Sequence, residues 1–236
     1  MKTYIIAEAG TGYARASITE RKVLAISYAD RARAAGADAV KFQMFLPHED
    51  LFCPMPGDER RWARWNDCFL HFEEWREVKH HCDDIGIDFL ASAFQNTAVA
   101  WCLRLELKYY KVAYRARHTY PSGMVPGPYL VSAGRSDYVP FGERDYHRLL
   151  VVPEYPSPLA DSFLDDDKPW CGLSDHSGTV WPGLHAIAIG SPFLEVHFDF
   201  YYAPDNPDRA VCISTEDLSI LCEFRDAVAE RKTNTV

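Results

Sequence analysis

Eight short apolar runs, several ending in a polar or charged residue, constrain this chain more than any other feature of its sequence. Continuous runs of this length suit strands buried on both faces, as in a parallel sheet covered by helices. The first is Tyr4-Ile5-Ile6-Ala7, bounded by Gly10 and Gly12, and a helical spacing of Val23, Leu24, Ser27, Tyr28, Arg31, Ala32 and Ala35 follows it up to Gly36. Residues 39–43 form the second run, 87–92 the third and 109–113 the fourth, with helices expected over 72–84 and about 96–106. Residues 129–132, 149–152 and 170–173 supply three more runs, and 193–198 the eighth. Helices are expected over 179–189 and 215–231, the latter capped by Ser214 or Thr215.

This alternation predicts an α/β fold, a closed (β/α)8 barrel of the TIM type in one domain spanning 1–236. Its connections shorten in the middle, where 118–128 holds three prolines and two glycines and leaves too little chain for a covering helix. An open dinucleotide-binding sheet is the competing architecture. Gly10-Thr11-Gly12-Tyr13-Ala14-Arg15 fails its glycine fingerprint at the third glycine.

A formal charge of −9 argues against nucleic acid or anionic lipid as partners, since both reward a basic surface. The Arg60-Arg61-Trp62-Ala63-Arg64-Trp65 stretch is offset by Asp58, Glu59 and Asp67, and reads as a solvated helix face with its tryptophans packed beneath, or as an interface. Seven scattered cysteines without a C-x-x-C pair fit a reducing, cytoplasmic setting better than a disulfide framework or a structural zinc site. The opening residues read as a strand and not as a secretion signal, and no apolar run is long enough to span a membrane.

In a barrel the chemistry gathers at the carboxyl ends of the strands. Glu8, Lys41, Gln43, Ser92, Lys111, Ser132, Tyr155, Asp175, His176 and His197 occupy or follow those ends. His176 and His197 fall on adjacent strands, and two imidazoles suit a borderline divalent metal with positions left for water and substrate. The competing account is two histidines that merely satisfy loop backbone. Lys41 and Lys111 interrupt apolar strands, where an unpaired ammonium is costly, so each is expected to face an anion or a carboxylate such as Glu8.

The motifs IIAEAG (5–10), GADAVKFQ (36–43), FLASAF (89–94), YYKVA (109–113), YLVSAG (129–134), EYPSP (154–158), GLSDHSG (172–178) and LEVHF (194–198) stand in one order, followed by APD (203–205) and STEDL (214–218). Over nearly the whole chain they resemble the sialic acid synthase family. That resemblance implies condensation of phosphoenolpyruvate with an aldose or other aldehyde, giving a 2-keto sugar acid of the nonulosonic type and releasing phosphate. It implies a divalent metal on His176 and His197, with manganese expected and magnesium, cobalt, iron or zinc as alternatives. Lys41, Gln43, Ser92, Lys111, Ser132 and Tyr155 match the substrate-holding positions, and Glu8 and Asp205 match acidic groups beside sugar and metal.

The pattern also departs from the family. Gly12-Tyr13 replaces an Asn-His, Tyr114 a serine, Ala116 a glutamate, Pro153 an asparagine and Arg135 a methionine. Arg115 and Arg135 are therefore added as candidate anion-binding residues. No segment resembling the family's C-terminal antifreeze-like domain follows the last helix, and a homodimer covering the shortened connections is expected. Two alternatives remain beside the synthase: a metal-dependent aldolase, lyase or isomerase with another anionic substrate, and a non-catalytic barrel subunit.

Overall fold

Strand β1 (Tyr4–Gly10) pairs in parallel with β2 (Ala39–Met44) on one side and with β8 (Phe193–His197) on the other, and that double pairing closes the sheet. Between them run β3 (Asp88–Ala93), β4 (Tyr110–Val112), β5 (Tyr129–Ala133), β6 (Tyr146–Leu150) and β7 (Gly172–Asp175), each parallel to its neighbours. The result, in a computed structural model describing residues 2–47, 49–142, 145–165, 170–201 and 206–233, is an eight-stranded barrel in strict chain order. The helices are α1 (Ile18–Ala34), α2 (Trp62–Cys68), α3 (Phe72–Ile85), α4 (Asn96–Arg104), α5 (Trp181–Ala188) and α6 (Thr215–Thr233).

The period-two alternation of a strand explains how one barrel interior is both core and site. Ile6, Ala39, Leu90, Leu130, Leu149 and Phe193 form a buried plug, with Tyr4, Tyr109 and Cys171 packed against it. Two residues further along the same strands stand Glu8, Lys41, Ser92, Ser132 and Glu195, and two beyond Tyr109 stands Lys111, all buried. The apolar layer seals the amino-terminal end, and every polar layer residue is thereby aimed at the carboxyl-terminal mouth. A second and larger cluster fills the space between strands and helices, including Tyr28, Ala29 and Ala32 of α1, Trp75 and Val78 of α3, and Leu218, Leu221 and Cys222 of α6.

Among the described residues no α-helix covers β5 or β6, and those of the connections from β4 to β7 form only short 3-10 turns, at Tyr114–Ala116 and Leu159–Asp161. Aromatic rings take the place of a helix: Tyr129 and Phe141 meet at 5.0 Å, Tyr120 and Tyr129 at 6.2 Å, and Phe141 and Tyr146 at 5.8 Å. Strand β6 begins at Tyr146, three residues before the apolar run 149–152, and ends at Leu150, two residues before that run does. Its first three residues are only partly buried, so hydrophobic patterning points past them. Ser214 caps α6, accepting a hydrogen bond from the Asp217 N–H at 3.0 Å while its own N–H donates to Asp217 Oδ2 at 3.3 Å. All seven cysteines are free thiols, and no described helix is long and apolar enough to cross a membrane.

Candidate active site

At the mouth, two lysines and two glutamates form a buried network. Lys41 Nζ is ion-paired with Glu8, donates to Ser92 Oγ at 3.0 Å and lies 3.8 Å from Glu195 Oε2. Lys111 Nζ donates to Ser132 Oγ at 2.7 Å and lies 3.5 Å from Glu195 Oε1, which also accepts from Ser174 Oγ at 2.8 Å. Burial raises the Glu8 carboxyl despite the opposing pull of Lys41, with Glu195 reinforcing the rise. Glu195 goes the other way: burial would raise it, but Lys111 and Lys41 hold it down at about 2. One carboxyl therefore keeps its proton more readily than the other within the same cluster.

His176 and His197 stand side by side with ring centroids 5.1 Å apart. Burial, together with His197, lowers His176 to about 3, and burial together with the Lys41 ammonium lowers His197 to about 3. Both rings are neutral at pH 7, the protonation state a metal ligand requires. Tyr155 lies across them, its ring 4.5 Å from that of His176 and 6.2 Å from that of His197, with its hydroxyl 3.0 Å from His176 Nε2. The Nδ1 atom of His197 is buried and has no hydrogen-bond partner. A divalent ion suits that donor set, since such an orphaned nitrogen is costly unless something takes its lone pair. Among the described residues no group of three or more His, Cys, Asp or Glu side chains is set to hold an ion. Two histidines leave the remaining positions to water or substrate.

Among the described residues, Asp208 is an aspartate that the structure brings to these histidines, its Oδ2 lying 4.0 Å from His197 Nδ1. Asp205, the aspartate expected there, lies outside the described residues. The chain carries two Pro-Asp pairs three positions apart, at 204–205 and 207–208, so the motif alone does not separate them. Asp208 is held from behind: its N–H donates to Asn206 Oδ1 at 3.1 Å, Asn206 donates to Asp199 at 2.9 Å, and Tyr28 donates to Asp199 at 2.8 Å. Gly10 makes room for it, since a Cβ there would lie 2.7 Å from Asp208 Oδ2, and its φ of +55° favours glycine as well. Glu195 was also outside the expected set. Its signal was its place two residues before His197, on the same face of β8.

Gln43 shares the inward face of Lys41 on β2 and is paired in register with Ser92, and its backbone carbonyl accepts the Tyr13 hydroxyl at 2.7 Å. The arginines flanking the mouth are engaged by protein groups. Arg115 binds Asp58, at 2.5 and 3.2 Å, and the Cys53 carbonyl at 2.8 Å. Arg135 is paired with Asp165 and donates to the Phe163 carbonyl at 2.7 Å, while Arg117 meets Asp137 at 2.8 Å. Helix α2 sits above β2 and β3 through stacked rings, Phe45 against Trp65 at 4.6 Å and Phe45 against Phe94 at 4.6 Å. Asp175 is buried and raised to about 6 by that burial, with Ser177 N–H and Oγ as its hydrogen-bond donors.

Residues 28–122 match the model of the NeuB family. N,N'-diacetyllegionaminic acid synthase of Campylobacter jejuni is 26% identical over 262 residues, an alignment covering 94% of this chain and 75% of that enzyme. The crystal structure of N-acetylneuraminic acid synthetase from Leptospira borgpetersenii superposes with a TM-score of 0.81 at 18% identity, covering 98% of this chain and 85% of that one. A truncated 3-deoxy-D-arabino-heptulosonate 7-phosphate synthase from Thermotoga maritima shares the barrel at a TM-score of 0.66 and 11% identity, over 97% of this chain and 87% of that one. Over most of its length, this chain is a homologue of the NeuB family of sialic acid synthases.

Proposed function

We propose that this barrel is a metal-dependent carbon–carbon synthase that joins phosphoenolpyruvate to an aldose or another aldehyde. The observation that carries this reading is the pairing of two buried Lys–Ser couples, Lys41 with Ser92 and Lys111 with Ser132, beside two buried neutral histidines at one mouth. In the proposed reaction the enol carbon of phosphoenolpyruvate bonds to the aldehyde carbon, whose oxygen takes up a proton and becomes a hydroxyl. Water adds to the phosphate-bearing carbon, the bond from that carbon to the phosphate oxygen breaks, and inorganic phosphate leaves behind a 2-keto acid.

Lys41, Lys111, Ser92 and Ser132 would hold the carboxylate and phosphate of the donor, as compact cations and hydroxyl donors suit an anion in a dry site. Glu8, whose carboxyl is raised by burial, is suited to deliver the proton that the aldehyde oxygen takes up. Gln43, Tyr155 and Asp208 would face the acceptor, with Asp208 taking the part expected of Asp205. Arg115 and Arg135, tied to Asp58 and Asp165, would position the mouth loops and not the substrate directly. His176 and His197 would hold the divalent ion, manganese being expected, which when bound supplies Lewis acidity to the aldehyde oxygen.

The test is calorimetric titration of phosphoenolpyruvate into the Mn-loaded protein, repeated with Lys111→Ala. Binding that is lost in the variant, together with aldehyde-dependent phosphate release by the wild type, is the expected result. Absence of binding to folded, Mn-loaded wild type would overturn the donor assignment.

A further inference from the structure

The hydroxyl of Tyr155 occupies the very nitrogen that a metal would use. His176 Nδ1 points at the Val152 carbonyl, 3.5 Å away, an acceptor with nothing to donate, so the ring proton belongs on Nδ1 and the lone pair on Nε2. Tyr155 O–H donates to that lone pair at 3.0 Å. An imidazole nitrogen has one lone pair, and a bound divalent ion sits about 2.0–2.2 Å from it. An ion on the line of the existing hydrogen bond would lie about 1 Å from the phenol oxygen, well inside any permitted contact.

We infer that Tyr155 is a displaceable cap on His176, whose hydroxyl must leave Nε2 when the metal binds there, so that metal loading and repositioning of Tyr155 are one event. The inference rests on the metal reading above and adds a positioning role for a residue of this chain. The geometry allows the exchange as a side-chain rotation. Tyr155 is 53% exposed although its hydroxyl reaches a buried ring. The backbone just beyond it is pinned, because Ser157 N–H donates to the His176 carbonyl at 2.9 Å and Ser157 Oγ pairs with Ser162 Oγ at 2.8 Å. Once displaced, the Tyr155 hydroxyl stays within reach of the same mouth and is free to meet the acceptor.

The experiment is calorimetric titration of Mn2+ into chelator-stripped wild type and Tyr155→Phe, with His176→Ala and His197→Ala as controls and circular dichroism confirming that each variant is folded. Loss of the competing hydrogen bond should tighten Mn2+ binding in Tyr155→Phe by about fivefold, the share of one ordinary hydrogen bond. In parallel, 3-fluorotyrosine placed at position 155 should shift its 19F resonance on addition of diamagnetic Zn2+, in step with metal binding. Unchanged or weaker Mn2+ affinity in folded Tyr155→Phe, or a resonance that ignores the metal, would overturn the cap while leaving the metal site standing. Wild type that binds no Mn2+, or binding that survives both histidine variants, would remove the metal reading and the cap with it.

Discussion

His176 and His197 owe their readiness for a metal to a cost that the folded chain bears. Burial holds both rings near a pKa of about 3, whereas an unfolded imidazole takes its proton near pH 6.5. Between those values the unfolded chain binds more protons than the folded one, so this contribution makes stability fall as pH falls from about 6.5 toward 3. Each ring adds a slope of up to about 1.4 kcal/mol per pH unit in that window. Glu8 and Asp175, both raised, act with the opposite sign, since the folded protein keeps protons that the unfolded chain releases. The histidine share is therefore read by difference. In urea unfolding of chelator-treated protein at pH 6.5 and pH 4.5, wild type should lose more stability than His176→Gln; equal losses would mean that the ring is already protonated in the folded mouth. The histidines and lysines were legible because each polar residue interrupts or ends an apolar run. Glu195 and Asp208 were not, because one depends on strand alternation around a neighbour and the other on a loop brought to His197 by Asn206, Asp199 and Tyr28.

Strand β7 shows how closely the staves must approach to bring these residues together. A Cβ at Gly172 would lie 2.4 Å from the Phe193 carbonyl oxygen and 2.6 Å from Leu149 Cδ2, so β7 is sandwiched between β6 and β8 with no room for a methyl group. Gly172→Ala should destabilise the barrel by about 1–3 kcal/mol through overpacking, seen as a lower urea midpoint. A midpoint that does not move would show that β7 yields without cost. The order of the strands was written in local patterns, since apolar runs and glycine stops need no distant partner. Strand β6 starts ahead of its apolar run because its leading residues are anchored by contacts outside the strand: Arg148 donates to the carbonyls of Gly134 and Asp137 at 2.8 Å and lies over the Trp170 ring at 4.3 Å. The same holds for Arg115 and Arg135, whose carboxylate partners Asp58 and Asp165 stand 57 and 30 residues away along the chain.

The molecule as a whole is acidic, with a formal charge of −9, and its mouth repeats that balance in miniature. Lys41 and Lys111 are matched by Glu8 and Glu195, the two histidines are neutral, and Asp208 and Asp175 stand alongside. An anionic donor approaching the metal-free protein thus meets cations that are already compensated, within a repulsive outer field. A divalent ion changes both conditions. It is drawn in by that same field and offsets the acidic surplus where the donor's charge must settle. Phosphoenolpyruvate should therefore bind at least about tenfold more weakly to chelator-stripped protein than to Mn-loaded protein, a modest figure against the several kcal/mol that close charge pairs are worth in a dry site. Mn2+ affinity should itself weaken as ionic strength rises from about 0.01 to about 0.15 M, where the Debye length contracts from about 30 to about 8 Å. Calorimetry in the two salts, with and without the metal, reads both effects. Phosphoenolpyruvate binding of equal strength in stripped and loaded protein would mean that the lysines alone carry the donor, with Glu8 or Glu195 protonated or turned away to release them.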